Sequence, residues 1–202
     1  VRFAIAILFY TGTLSGAYDH LVPNLYFSNL RMVDDTLSYI RDFYNEKEVD
    51  IDNKLSLVQI FTYGCTCVFN QSALSIYCKV NNKSFHDNWI YIICSFMGNV
   101  FYDSSAHIQY RQHNSNLSGH KTTGLGLLRS RLYRPFKGNL GHDFEFLAIQ
   151  LLQVSFENTL SDKYKIARNI ANYRTNIISR LFLFFSPSYC TGNFVKDLCI
   201  RY

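Results

Sequence analysis

Apolar residues in the first half of the chain recur at two spacings, one typical of strands and one typical of helices. Compact apolar segments between turn-forming residues predict strands at positions 25–28, 65–69, 100–102 and 108–110. Apolar residues three and four positions apart predict helices at about positions 55–61, 71–78 and 86–97. The apolar segment 4–10 fits a helix or a buried strand equally well. Alternating strands and helices predict an α/β layered domain.

Turn-forming residues mark the ends of these segments. Gly64 and Gly98 follow two of the predicted helices and are expected to end them, because glycine is the usual residue after a helix C-terminus. Asp34 and Asp35 follow the first strand in a predicted turn. The acidic, polar stretch 42–54 is expected to be an exposed loop.

The second half of the chain has a different pattern. Residues 114–126 are rich in Ser, Asn, Gly and Thr, which predicts a flexible connection. From there to about residue 185 the spacing of apolar residues is helical. One apolar stripe contains Leu147, Leu151 and Val154, and a second contains Ile166, Ile170, Tyr173 and Ile177. We therefore expect an α/β domain over residues 1–118, followed by a loop and a helical tail over residues 119–202.

Composition and charge exclude some classes of protein and leave others open. Apolar residues make up 48% of the chain and charged residues 17%, so the composition is not that of a disordered protein. The net charge of +5 does not single out nucleic acid, anionic lipid or a phosphorylated substrate as the partner, and the sequence contains no nucleic-acid-binding motif. The six cysteines lack the paired Cys-x-x-Cys spacing of a zinc site and predict free thiols in a reducing compartment.

Three short segments occur in a fixed order along the chain. They are Gly-Cys-Thr at 64–66, His-Asp-Asn-Trp at 86–89 and Tyr-Arg-Gln-His at 110–113. Together with residues 26–34, this ordered set resembles bacterial family 2 glycosyltransferases, and rhamnosyltransferases in particular. The resemblance covers roughly residues 25–120, and the ordered set is more specific than any of its pieces.

The resemblance implies a fold, an activity and a set of partners. The fold would be a GT-A type, Rossmann-like α/β domain that is incomplete at its N-terminus and carries a helical C-terminal extension. The activity would be the inverting transfer of a sugar, such as rhamnose, from a nucleotide-sugar donor to a polysaccharide or lipid-linked glycan acceptor. Such enzymes use a divalent cation, Mg²⁺ or Mn²⁺. The protein would act in the cytoplasm, at the inner face of the plasma membrane, in biosynthesis of the cell envelope.

In that family a nucleotide-binding half and an Asp-x-Asp metal motif precede the matching stretch. Residues 1–25 contain neither, and Asp19 is the one acidic residue among them. We therefore expect the nucleotide-binding half to be missing from this chain. Asp34 and Asp35 are the alternative acidic ligands, although the resemblance places them after the metal motif. The rival interpretation is a catalytically inactive fragment that binds a glycan or a protein partner.

Asp87 is the candidate catalytic base. Inversion requires a group that takes the proton of the acceptor hydroxyl, which suits a carboxylate, and the resemblance assigns that role to Asp87. The alternative role is a helix cap, because Asp is a favoured residue at the start of a helix. His86 would orient this carboxylate or contact the acceptor, and otherwise it is a polar surface residue.

Further residues of the three segments are candidates for substrate contact. Gly64 and Thr66 would shape the acceptor side of the cleft, or only a tight turn. Trp89 would stack on a sugar, or else pack in the core. Arg111 and His113 follow a strand and would contact phosphate, or else lie in a solvated loop. His113 is also the candidate metal ligand.

The C-terminal helical segment combines basic and apolar residues. Residues 162–180 are predicted to form one helix with five basic side chains, and the apolar and aromatic residues 181–185 follow. This composition predicts peripheral contact with a membrane through residues 162–185, or else a helix packed within the protein. The apolar stretch is too short to span a bilayer.

Overall fold

The computed structural model of the protein describes residues 21–45, 49–51, 57, 60–80, 86–112, 140–155 and 162–185. The chain divides into two compact units. One contains Val1–Ser56 and Ile60–His113, and the other contains Leu57–Gln59 and Asn114–Tyr202. The first unit is mixed α/β, and the elements described in the second unit are helices.

A sheet built around one central strand forms the framework of the first unit. Strand β1 (Asn24–Val33) pairs in antiparallel orientation with β2 (Tyr39–Asp42) and β3 (Cys67–Phe69). Strand β4 (Asn99–Arg111) pairs with β1 in parallel orientation along its whole length. β3 lies opposite the first half of β1 and β2 opposite the second half, so these two share the edge that β4 does not occupy.

The side chain of Asn29 completes the pairing in the middle of β1. Its Nδ2 donates to the carbonyl oxygen of Tyr44 at 2.8 Å, and its Oδ1 accepts from the N–H of Tyr44 at 3.1 Å. The buried amide therefore acts like a strand residue between the stretches paired with β2 and β3. The register with β4 shifts on both sides of Asn29, so β4 contains extra residues at this point.

Three asparagines align the beginning of the sheet with the first helix. Helix α1 (Gln71–Tyr77) is capped by Asn70, whose Oδ1 accepts from the N–H groups of Ala73 and Asn24 at 3.1 and 3.0 Å. Asn99 donates through its Nδ2 to Oδ1 of Asn24 at 2.9 Å. One capping side chain therefore also fixes the first residue of β1, and that residue in turn binds the first residue of β4.

Helix α2 (His86–Met97) supplies much of the core of this unit. Every residue from Trp89 to Ser95 is buried. The ring of Tyr91 meets the rings of Phe27 and Phe61 edge-on, with both centroid distances at 6.2 Å. The core cluster consists of Leu25, Phe27, Phe61, Ala73, Ile90, Tyr91 and Cys94. The central strand and the two helices α1 and α2 thus contribute to one apolar cluster.

The structure agrees with the sequence pattern at α1 and α2, at the strands predicted within β1 and β3 and at the turn of Asp34 and Asp35, and it differs at other positions of the first unit. Residues 60–63 are not helical, and Gly64 begins a short 3₁₀ helix (Gly64–Thr66) where it was expected to end an α-helix. The strands predicted at 100–102 and 108–110 are both parts of β4. The connection predicted at 114–126 lies outside the described residues.

Three helices are described in the second unit. They are α3 (Leu140–Val154), α4 (Asp162–Asn172) and α5 (Ile177–Phe185). The prediction of one helix over residues 162–180 is wrong, because α4 ends before residue 173. Oδ1 of Asn176 accepts from the N–H groups of Ile178 and Ser179 at 2.8 and 3.4 Å, so a new helix is capped there.

The break between α4 and α5 changes which apolar residues are buried. Ile166 and Ile170 are buried on α4, and Leu151 is buried on α3, as their stripes predict. Ile177, assigned to the same stripe as Ile166, is exposed because it begins a separate helix. Within the described ranges, no helix is long and apolar enough to cross a bilayer.

Gly98 is required where α2 meets β4. A Cβ atom at Gly98 would lie 1.8 Å from the carbonyl oxygen of Pro23, which also accepts the N–H of Asn99 at 2.9 Å. We predict that Gly98→Ala lowers the free energy of unfolding of the full chain by about 3 kcal/mol or more, measured by urea and thermal unfolding. The matched control is Gly64→Ala, whose Cβ would lie 3.3 Å from the movable His86 side chain. It should cost about 1 kcal/mol at most, and equal losses would contradict the backbone clash.

Asn70 is the second test of the framework. Asn70→Ala removes the α1 cap together with the hydrogen bond to the N–H of Asn24, so we expect a loss of about 2 kcal/mol in the free energy of unfolding. Ser75→Ala on the same helix is the control, because its exposed hydroxyl bonds only to the preceding turn at Gln71. Since Ala is the better helix former, Ser75→Ala should cause no loss. An Asn70 variant as stable as the Ser75 variant would show that the cap does not align the sheet.

Candidate functional site

A tight turn precedes β3 and forms one side of the site. The carbonyl oxygen of Tyr63 accepts from the N–H of Thr66 at 2.8 Å and from its Oγ1 at 2.9 Å. The thiol of Cys67 donates to the same oxygen at 3.2 Å. Thr66 is buried and its hydroxyl is occupied within the turn. The structure therefore favours the turn-forming role of Thr66 over substrate contact.

Gly64 in this turn lies against the beginning of α2. A Cβ atom at Gly64 would be 3.3 Å from Nε2 of His86 and 3.8 Å from Oδ2 of Asp87. The absence of a side chain at Gly64 allows an imidazole and a carboxylate to approach the exposed main chain of the turn. Three of the residues singled out by the sequence segments therefore lie together.

The two carboxylate oxygens of Asp87 have different surroundings. Oδ1 accepts from the N–H of Asn88 at 3.1 Å, and the carboxylate lies at the positive end of the α2 dipole. Oδ2 is the oxygen nearer to Gly64. The main-chain carbonyl of Asp87 accepts from the hydroxyl of Thr62 at 3.3 Å, which anchors the helix start. One oxygen can therefore serve the helix while the other meets a substrate.

The charge of Asp87 acts on the thiols of the turn. Partial burial raises the pKa of Cys65, and the negative charge of Asp87 raises it further. Burial raises the pKa of Cys67 to about 12, and Asp87 again adds to the effect. Both thiols are protonated at neutral pH and are weak nucleophiles. The arrangement therefore favours chemistry at the carboxylate over covalent catalysis by cysteine.

Tyr63 connects this carboxylate to the sheet. Burial raises the pKa of the Tyr63 hydroxyl to about 12; Tyr110 and Asp87 act in the same direction, and the guanidinium of Arg41 opposes them. A hydroxyl with so high a pKa remains a hydrogen-bond donor throughout the physiological range. Tyr63 therefore offers a neutral donor within the electrostatic influence of the Asp87 carboxylate.

Arg41 reaches this region through the pairing of β2. Arg41 and Tyr110 both lie opposite Met32 in register, so their side chains project from the same face of the sheet. The Arg41 guanidinium lies 5.4 Å from the centre of the Phe43 ring, and that ring contacts Tyr63 edge-on at 4.5 Å. The sequence offered no local signal for Arg41, because its position depends on antiparallel pairing with β1.

The sequence also singled out Trp89, Arg111 and His113 as candidates for substrate contact. Trp89 is 1% exposed, so its ring packs in the interior and is not available to stack on a sugar. Arg111 is exposed at the end of β4 and projects from the face opposite to that of Tyr110, since successive strand residues alternate. His113 lies outside the described residues.

The described residues do not fit the divalent cation that the resemblance implies. Across the parts of the chain that the structure describes, no group of three or more His, Cys, Asp and Glu side chains could hold a metal ion. Oδ1 of Asp34 accepts from the N–H and the hydroxyl of Thr36 at 2.8 and 2.7 Å and from the N–H of Ser38 at 2.9 Å. These bonds lower the pKa of Asp34, and the bond from the Thr36 hydroxyl has the largest effect. Asp34 therefore stabilises its own turn. The divalent cation that the resemblance implies stays a prediction.

The site is defined by an accessible carboxylate at a helix N-terminus, facing a glycine in a tight turn of a mixed α/β unit. No protein-family model, curated protein or solved structure matches the chain. Its interpretation therefore depends on this geometry and on the resemblance carried by the three sequence segments.

The proximity of Asp87 to Cys65 can be tested without knowing the reaction. Asp87→Asn removes a charge that raises the pKa of Cys65, so its alkylation by iodoacetamide at mildly alkaline pH should accelerate by about two- to five-fold. Mass spectrometry of the labelled peptides from the full chain measures each cysteine separately. Cys78, an exposed thiol after α1, is the internal control and should react at an unchanged rate. An unchanged rate at Cys65 would mean that the carboxylate does not lie beside it.

Proposed function

We propose that this chain forms the acceptor side of an inverting glycosyltransferase in which Asp87 is the catalytic base. The observation that carries the proposal is the position of Asp87, with one oxygen bonded to the start of α2 and the other nearer to Gly64 on an accessible surface. The order of the three sequence segments supports the same class of enzyme. We also propose that the mixed α/β unit is of the GT-A type.

In the proposed reaction, Oδ2 of Asp87 accepts the proton of an acceptor hydroxyl. The acceptor oxygen attacks the anomeric carbon of the donor from the side opposite to the leaving group, and the new C–O bond forms as the bond to the nucleoside diphosphate breaks. The electron pair of the broken bond leaves with the diphosphate, and the configuration at the anomeric carbon inverts. The proton remains on Asp87 until it is lost to solvent.

The neighbouring groups have positioning roles in this proposal. His86 contacts the turn at Gly64 and would hold the acceptor hydroxyl against the carboxylate. The neutral hydroxyl of Tyr63 would donate a hydrogen bond to a sugar oxygen, because its raised pKa keeps it protonated. Hydrogen bonds from such fixed groups orient the reacting hydroxyl and reduce the entropy lost in the transition state.

The donor and the acceptor are proposed by class only. The donor would be a nucleotide sugar, with rhamnose as the sugar that the resemblance favours, and the acceptor a polysaccharide or lipid-linked glycan of the cell envelope. The reaction would take place in the cytoplasm at the inner face of the plasma membrane. The alternative is a catalytically inactive fragment that binds a glycan, and the experiments below distinguish it from an enzyme.

Asp87→Asn is the direct test of the base. α2 begins at His86, so Asp87 lies within its first turn and is not the cap expected from the sequence. Asn retains an oxygen that can accept from the N–H of Asn88, so this bond survives while the proton acceptor is lost. We expect transfer by the full-length protein to fall by about 100-fold or more. The assay follows nucleoside diphosphate release from UDP-, GDP- and dTDP-sugars, with bacterial membrane glycans as acceptors.

Asp42→Asn is the matched control for this assay. Asp42 is a surface carboxylate paired with Arg31 at 3.2 Å, and its replacement should leave transfer unchanged. Full activity in the Asp87 variant would limit that residue to a structural role in the first turn of α2. Calorimetric titration of the wild-type protein with dTDP, UDP and GDP in the presence of Mn²⁺ tests the donor side separately. If the folded protein binds none of these nucleotides and transfers no sugar, the results favour the alternative, a catalytically inactive fragment that binds a glycan.

A further inference from the structure

Helix α5 exposes an apolar face to solvent. The side chains of this face are between 42 and 72% exposed; they are Ile177, Ile178, Leu181, Phe182 and Phe185. They recur at intervals of one, three and four residues, so they lie along one side of the helix. Ser179 and Leu183 are buried on the other side. The helix therefore directs most of its large apolar surface outward and packs through its narrower side.

This face is held in place by the turn before it. Asn176 caps the helix, and the guanidinium of Arg180 donates through Nε to the carbonyl oxygen of Tyr173 at 2.6 Å and through a terminal nitrogen to that of Arg174 at 2.5 Å. These bonds occupy carbonyl groups in the turn that follows α4. The orientation of α5 relative to this turn is therefore set before any partner binds, which lowers the entropic cost of docking its apolar face.

The charge around this face indicates the kind of partner. The stretch 162–185 contains five basic residues and one acidic residue, a net charge of 5 − 1 = +4. Lys165 lies 3.3 Å from Asp162, and Arg174 lies 2.9 Å from Glu145. Pairs at such exposed positions contribute little and leave most of the field in place. A positive field around an apolar face attracts an anionic surface and repels a second copy of the same face.

The small size of the face also favours a membrane over a protein as the partner. A helix of nine residues is about 13 Å long. One side of such a helix covers much less than the roughly 800 Å² per partner of a stable protein–protein interface. It is suited to lie in the plane of a bilayer, where five apolar side chains enter the boundary between head groups and acyl chains. The buried stripe of α4 does not take part, because Ile166 and Ile170 face the interior.

We propose that α5 is an interfacial membrane helix that docks the protein on bilayers containing anionic lipid. The proposal is independent of the catalytic assignment, since it involves neither Asp87 nor its neighbours. It also restricts the apolar contact with the membrane to the exposed face of α5. The basic side chains between positions 162 and 180 supply the attraction to lipid head groups.

Vesicle flotation of the full chain tests the proposal. The wild-type protein should partition onto phosphatidylcholine vesicles with about 30% phosphatidylglycerol at least about ten-fold better than onto pure phosphatidylcholine, and added salt should weaken the binding. The double variant Leu181→Ser/Phe185→Ser should lose about 100-fold in partitioning. The matched control is Phe146→Ser/Ile149→Ser, which removes two exposed apolar side chains of α3 and should bind like wild type.

A second variant keeps the test valid if the double variant does not fold. Phe182→Trp preserves the apolar face, and its emission should be quenched by brominated lipids in anionic vesicles, while the buried Trp89 of the parent protein shows little quenching. Failure to bind anionic vesicles, or equal binding by both double variants, would overturn the proposal. So would a wild-type dimer in sedimentation velocity that the Leu181→Ser/Phe185→Ser variant converts to a monomer, because the face would then serve self-association.

Discussion

The occupation of both edges of β1 is the constraint on which the first unit depends. β4 pairs along one edge, while β2, β3 and the Asn29 side chain share the other. Because Leu25 and Phe27 of this strand are fully buried, a shift of one residue would carry them away from the core cluster. The register of one strand therefore determines where the neighbouring strands lie.

The position of the candidate site follows from this framework. At its C-terminal end, α2 passes into β4 against the backbone of Pro23, and at its N-terminal end Asp87 accepts from Thr62. Edge-to-face aromatic contacts connect the core to the turn of the site in the order Tyr91, Phe61, Tyr44, Phe43 and Tyr63. Such packing limits the movement of the groups that surround the carboxylate, as a preorganised site requires.

The sequence predicted those elements whose signals are local. Gly98 marks the end of α2, and both α1 and α2 lie where the spacing of apolar residues places them. The length of β1 and the existence of β2 could not be read in this way, because both depend on partners distant in sequence. The break before α5 was missed because a single capping residue, Asn176, outweighs a continuous apolar spacing.

The same contrast applies to the site. Gly64, His86 and Asp87 were singled out from their order in the chain, and the structure brings them together. Arg41 carried no signal because only strand pairing brings it near Tyr63. The parallel pairing of β1 with β4 also affects synthesis of the protein. β1 leaves the ribosome before β4, and the edge that β4 covers stays open until residues 99–111 have been made. During that interval an apolar strand offers unpaired backbone groups to other chains, so nascent molecules are more prone to aggregate than folded ones, and rapid completion of β4 or a bound chaperone protects them.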